Sequence, residues 1–329
     1  MGNPVTLVEL WRGGIFESAH QGHAVICDGS GQIIDAWGDP DMVIFPRSSC
    51  KMVQALPLIE SGAADAFGLS DADLALACAS HSAAHIHTDR VREWIAALDY
   101  SDADFRCGPA MPADIEARND LIKTDSSPCQ YHNECSGKHS GFLTVVKHLK
   151  AGPEYVEVDH PLQKAFRQSF EDVTQQDSPG FGLDGCSAPN FATTVHGLAR
   201  AMAFYATAQD RNDLRSQAAA RLTQAMTAFP EMVAGKAQSS TDLMQAMDGK
   251  VAVKSGAEGV FIAIIPEKRI GVALKITDGA GRARDCVIAD ILVRLGVLDP
   301  MHPTAIKYRN PRILNRNGWD TGEMRPVMD

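Results

Sequence analysis

The chain has 329 residues, about twice the usual domain length, so one large or two intimately packed domains with ample core are expected. Lys and Arg number 31 against 41 Asp and Glu, a net charge of −10 with no dense basic run, which excludes the electrostatic footprint of a nucleic-acid binder. The opening "MGNPVTLVELWRGG" has no basic region followed by an apolar one, and no stretch approaches the roughly eighteen apolar residues of a membrane helix, so a cytoplasmic protein without a membrane partner is expected.

In chain order, "VTLVELW", "HAVICDG" and "QIIDAWG" read as strands, the last two joined by the Gly-containing turn "DGSG" as a hairpin. A middle region follows in which apolar residues recur at i, i+3, i+4 and i+7. Its segments are "SCKMVQALPLIESG", "TDRVREWIAALD", "KHSGFLTVVKHLK", "HPLQKAFRQSFEDVT" and "NFATTVHGLARAMAFYATA", each read as a helix, with Thr88 as the cap of the second. Strands return in "KVAVKSG", "GVFIAIIP" and "IGVALKITD", and "ARDCVIADILVRLGVL" has helical spacing again. The tail "YRNPRILNRNGWDTGEMRPVMD", punctuated by Pro and Gly, is expected to lie extended across the body.

Strands at both termini with helices between them predict an α/β (α+β) fold: an antiparallel or mixed sheet assembled from both chain ends, plus an inserted helical region. The expected division is residues 1–45 and 250–329 for the sheet and 46–249 for the helices, within one catalytic unit spanning 1–329. Eight cysteines are too sparse for a disulfide framework, so reduced thiols are expected, mostly as small buried hydrophobes.

"FPRSSCKMVQ" sets two serines at a helix start, and residues three apart share a helix face. Lys51 therefore serves Ser48 and not Ser49. A serine hydroxyl is a weak nucleophile until a base takes its proton, and a lysine can be that base. A second lysine, Lys254, lies on a late strand and is followed by Ser255 and Gly256, where a missing side chain lets a substrate or another backbone come close. Arg47 is placed either to fork onto a substrate carboxylate or to pair with a surface acid. "HNECSGKH" and "DGCSAPN" bring further chemistry: Cys135 and Cys186, with a histidine such as His139 or His132, could form a soft tetrahedral metal site. The four-residue spacing of His81 and His85 could also hold a metal, but histidines bordering a pocket near Ser80 are the expected outcome.

Ser-x-x-Lys on a helix with Lys-Ser-Gly on a late strand is the arrangement of serine β-lactamases and penicillin-binding proteins. The Ser-x-Asn element of those families is represented here only by Ser80-His81-Ser82. The segments "FPRSSCKMVQ", "CASHS", "NECSGKHSGFL", "GLDGCSAPNFA" and "KSGAEGVF", in this order, resemble those of the rhizobial-type L-asparaginase family more closely. That resemblance implies hydrolysis of L-asparagine to L-aspartate and ammonia by two Ser–Lys pairs, Ser48 with Lys51 and Ser80 with Lys254, on a β-lactamase-like fold. Asp184 would belong to the same substrate site. It further implies zinc held by Cys135, Lys138 and Cys186, and a homodimer. A glutaminase, a peptide or ester hydrolase, or a zinc-stabilised amino-acid-binding module are the alternatives.

Overall fold

The computed structural model describes residues 2–328. They divide into two compact units, one from the described residues of Met1–Ser49, Thr193–Thr207 and Asp242–Asp329, the other from Cys50–Ala192 and Ala208–Thr241.

The first unit holds an eight-stranded sheet ordered Arg312–Leu314, Asp320–Pro326, Val5–Arg12, Ile15–Cys27, Ile270–Ile276, Val260–Ile265 and Ala252–Ser255, with Ile33–Trp37 also paired to Ile15–Cys27. All pairings are antiparallel. The sheet is thus built from both chain ends, and the hairpin around "DGSG" is present. Val260–Ile265 is buried along its whole length, which explains why it reads as a continuous apolar run and not as an alternation. The helices Val195–Ala206 and Gly281–Arg294 pack on this sheet. Gly271 permits the first of these contacts, because a Cβ there would lie 2.0 Å from Ala203 N and 2.3 Å from Ala199 O. Both obstructing atoms are backbone and cannot rotate away, so Gly271→Ala is expected to cost about 1–3 kcal/mol, read as a lowered thermal midpoint.

Two sequence expectations change here. The tail does not merely lie across the body: Arg312–Leu314 and Asp320–Pro326 form a hairpin whose second strand pairs with Val5–Arg12. Thr88 does not cap its helix, which begins at His85 with Ala84 before it; the Thr88 hydroxyl instead donates back to His85 O within the helix.

The second unit is mainly helical. The expected helix "SCKMVQALPLIESG" starts within a 3₁₀ turn, Arg47–Cys50, and is itself broken at Ala55 into helices Lys51–Gln54 and Leu56–Glu60, because Pro57 has no N–H for the helical ladder. Helix Ser136–Leu149 lies against the end of Asp71–Ala77 so closely that a Cβ on Gly137 would come 2.2 Å from Leu76 O. Trp94 of His85–Ala97 donates to Thr144 Oγ1 at 3.0 Å, tying a second helix to the same one. These contacts fix the N-terminal turn of Ser136–Leu149, which carries Lys138 and follows directly on Cys135.

Candidate active site

Ser48 and Ser49 sit in the 3₁₀ turn Arg47–Cys50, and no side chain caps the helix that follows. Ser49 is fully buried and its hydroxyl donates to Pro46 O at 2.7 Å, so its role is to close the turn. Arg47 adopts a left-handed φ of 54°, the conformation that strained, functionally placed residues often hold. The Lys254-Ser255-Gly256 segment reaches the same turn within the first unit. A Cβ on Gly256 would lie 2.8 Å from Pro46 O and 3.1 Å from Ser49 N, atoms on either side of Ser48. Gly256 is therefore the residue that lets the "KSG" strand end lie against "PRSS". Lys254 is fully buried and donates to Ser255 O at 2.8 Å; Arg284 donates to Gly256 O at 2.8 Å and steadies the strand end.

In the second unit Lys51 is also fully buried. Its Nζ is hydrogen-bonded to Ala79 O, to Ser80 Oγ at 3.0 Å and to Cys135 Sγ at 3.1 Å. The sequence anticipated neither contact, because the partners lie 29 and 84 positions away.

Beside this group lies a sulfur cluster. Lys138 Nζ donates to Cys186 Sγ at 3.0 Å, and the Cys135 and Cys186 thiols are hydrogen-bonded to each other. The bond from Cys135, with Lys138 adding to it, holds Cys186 well below the usual thiol range; the same bond, with burial adding to it, raises Cys135. Burial alone would lower Lys138, but the two sulfurs outweigh it and raise the lysine. The cluster thus sets two sulfurs and one amine within hydrogen-bonding reach of one another. Asp184 lies in the tight turn between strands Phe181–Leu183 and Pro189–Phe191, where its backbone N–H bonds Ala188 O at 3.0 Å and its charge acts on Lys138.

Of the two histidines expected here, His139 reaches the cluster and His132 does not. His132 turns its Nδ1 to the Cys129 backbone N–H at 3.0 Å. His139 is pushed down to about 4 by burial; its Nδ1 meets the Tyr155 hydroxyl at 2.8 Å, and the ring also interacts with the Cys186 sulfur, which acts in the opposite direction. Among the described residues no three His, Cys, Asp or Glu side chains gather as a metal site. A metal bound here would take Lys138 or His139 as its third ligand; two sulfurs and an adjacent nitrogen suit a soft cation, which would take the place of the protons between them. His81 and His85 are not brought together: His85 faces Asp120 at 3.1 Å on the surface, whereas His81 is buried against Ser136. None of the eight cysteines is joined in a disulfide. Among the described residues no helix is long and apolar enough to cross a membrane.

No curated protein matches this chain. Among solved structures, Mglu in its native form is similar at 16% identity and a TM-score of 0.46 over 87% of this chain, which spans 66% of Mglu. A beta-lactamase from Mycobacterium bovis is similar at 14% identity and a TM-score of 0.44, covering 84% of this chain and 95% of its own. The octameric penicillin-binding protein homologue from Pyrococcus abyssi follows at 12%, a TM-score of 0.42 and coverages of 85% and 74%. Likeness at this level leaves the identification to the family match. The L-asparaginase II family profile matches residues 8–326, nearly the entire chain, and the protein belongs to that family of amidohydrolases.

Proposed function

We propose that the protein hydrolyses L-asparagine to L-aspartate and ammonia by Ser–Lys nucleophilic catalysis. The observation that carries this reading is the fully buried Lys51, whose Nζ lies 3.0 Å from Ser80 Oγ at the start of the helix that follows the Ser48 turn. Lys51 takes the Ser48 proton, and Ser48 Oγ attacks the side-chain amide carbon. Collapse of the tetrahedral adduct breaks the C–N bond, with the Ser80 and Lys254 pair delivering the proton that lets nitrogen leave as ammonia. Water, deprotonated by the Ser80–Lys254 pair that gave its proton to ammonia, then attacks the aspartyl ester, and Lys51 returns to the leaving Ser48 oxygen the proton it took. Arg47 receives the α-carboxylate as a fork, and Asp184 the α-ammonium group. Cys135, Lys138 and Cys186 would hold a zinc ion whose contribution is to tie the 135 and 186 segments together and position Asp184. A cytoplasmic homodimer is part of the same reading.

The substrate is tested by ammonia release from asparagine and glutamine, with nitrocefin as a third substrate. A site built to hydrogen-bond one chain length rejects another, so asparagine should exceed glutamine by about tenfold or more in kcat/KM. Faster turnover of glutamine or nitrocefin would contradict the assignment.

The metal is tested separately. Metal analysis is expected to find about one zinc per chain, the content of a single tetrahedral site. Cys135→Ala or Cys186→Ala should raise KM for asparagine more than it lowers kcat, and chelation should reproduce this, with recovery on adding zinc. Metal-free protein with an unchanged KM would make the cluster an ordinary buried thiol pair.

A further inference from the structure

We infer that His81 is a positioning residue that holds Ser80 in register with the start of helix Ser136–Leu149. This rests on the reading above, in which Ser80 moves a proton. His81 is buried, and both of its ring nitrogens are engaged. Nδ1 accepts the Ala83 backbone N–H at 3.1 Å, so the ring proton lies on Nε2, which donates to Ser136 Oγ at 2.9 Å. Ser136 in turn donates to Tyr131 O at 2.9 Å. The His81 backbone N–H bonds Glu134 O at 3.1 Å, one residue before Cys135. The ring is fixed from its face as well, stacked on His87 at 4.8 Å between centroids and 11° between planes.

The consequence is a double bridge. Lys51 spans residues 80 and 135 through Ser80 Oγ and Cys135 Sγ, and His81 spans the next pair, 81 and 136. Two chain segments linked at successive residues cannot slide past each other, so the His81–Ser136 bond sets where the Ser80 hydroxyl stands relative to Lys51 Nζ. The Nδ1 contact has a separate local task. It holds the N–H of Ala83, whose φ of 59° is left-handed for a residue with a Cβ, and so shapes the loop after Ser80.

These two tasks are separable by substitution. His81→Gln keeps a side-chain N–H that can reach Ser136, His81→Asn keeps an acceptor for the Ala83 N–H, and Ser136→Ala removes the acceptor of the His81 proton together with the bond to Tyr131 O. Each is assayed on whichever of asparagine and glutamine the wild type hydrolyses faster, beside Ser80→Ala, with thermal midpoints measured in parallel. Ser136→Ala and His81→Asn should lower kcat about 10²-fold, the scale of a misplacement near 1 Å, with KM little changed, and His81→Gln should recover most of the loss. Folded Ser136→Ala with wild-type kcat, or His81→Gln no better than His81→Asn, would overturn the inference while leaving the Ser80 reading intact if Ser80→Ala is inactive. A fully active Ser80→Ala would overturn both.

Discussion

Ser48→Ala protein is expected to release ammonia from asparagine only at background, whereas Ser49→Ala should keep most of its kcat and melt at a lower temperature. The two serines differ in what the turn asks of them. Ser49 is fully buried and commits its hydroxyl to Pro46 O at 2.7 Å, so its removal costs a buried hydrogen bond, about 1 kcal/mol. Ser48 lies between that residue and Arg47, in the turn against which Gly256 brings the Lys254 strand. Its hydroxyl is the one assigned to attack, and no other group can replace the ester it forms. Equal residual activities in the two variants would remove Ser48 from the role of nucleophile.

Lys51→Met and Lys254→Met are each expected to lower kcat by roughly 10²–10⁴-fold, the range of general-base assistance. Methionine nearly preserves the length of the buried stem while deleting the amine. Both lysines are fully buried, so neither change exposes a surface charge whose loss could mimic a catalytic defect. The stability effects should differ, because Lys51 leaves behind Ala79 O, Ser80 Oγ and Cys135 Sγ, three acceptors with one donor group removed. Circular dichroism melts beside the kinetics separate the two losses. A Lys254→Met protein with near wild-type kcat would leave that residue a structural lysine under the strand end.

Much of the architecture was legible in the chain because its signals are local. The β-branched runs at both ends and the "DGSG" turn report strands directly, and they are the strands of one antiparallel sheet. The tail hairpin was not legible, since Arg312–Leu314 is largely exposed and its neighbour owes its place to pairing with Val5–Arg12, more than 300 residues away. The helix break near residue 55 was readable in Pro57, but the apolar periodicity running through it concealed the 3₁₀ turn that carries the serines. At the site, spacing named Lys51, Lys254, Cys135 and Cys186 as reactive types. It could not show that Lys51 touches Ser80 and Cys135, or that His81 reaches Ser136, because those contacts are made by the packing of helices on one another.

The central claim is that the amide carbon is carried on Ser48, and an acyl-enzyme trap tests it most directly. Protein mixed with asparagine, quenched in acid within the first turnovers and digested with trypsin, should yield the Ser48–Lys51 peptide carrying one aspartyl group, with fragmentation placing it on the first serine. The adduct should be absent from Ser48→Ala and should accumulate where deacylation is slowed. An aspartyl group found on Ser80 or Ser49, or steady turnover with wild-type protein that never carries one, would contradict the account.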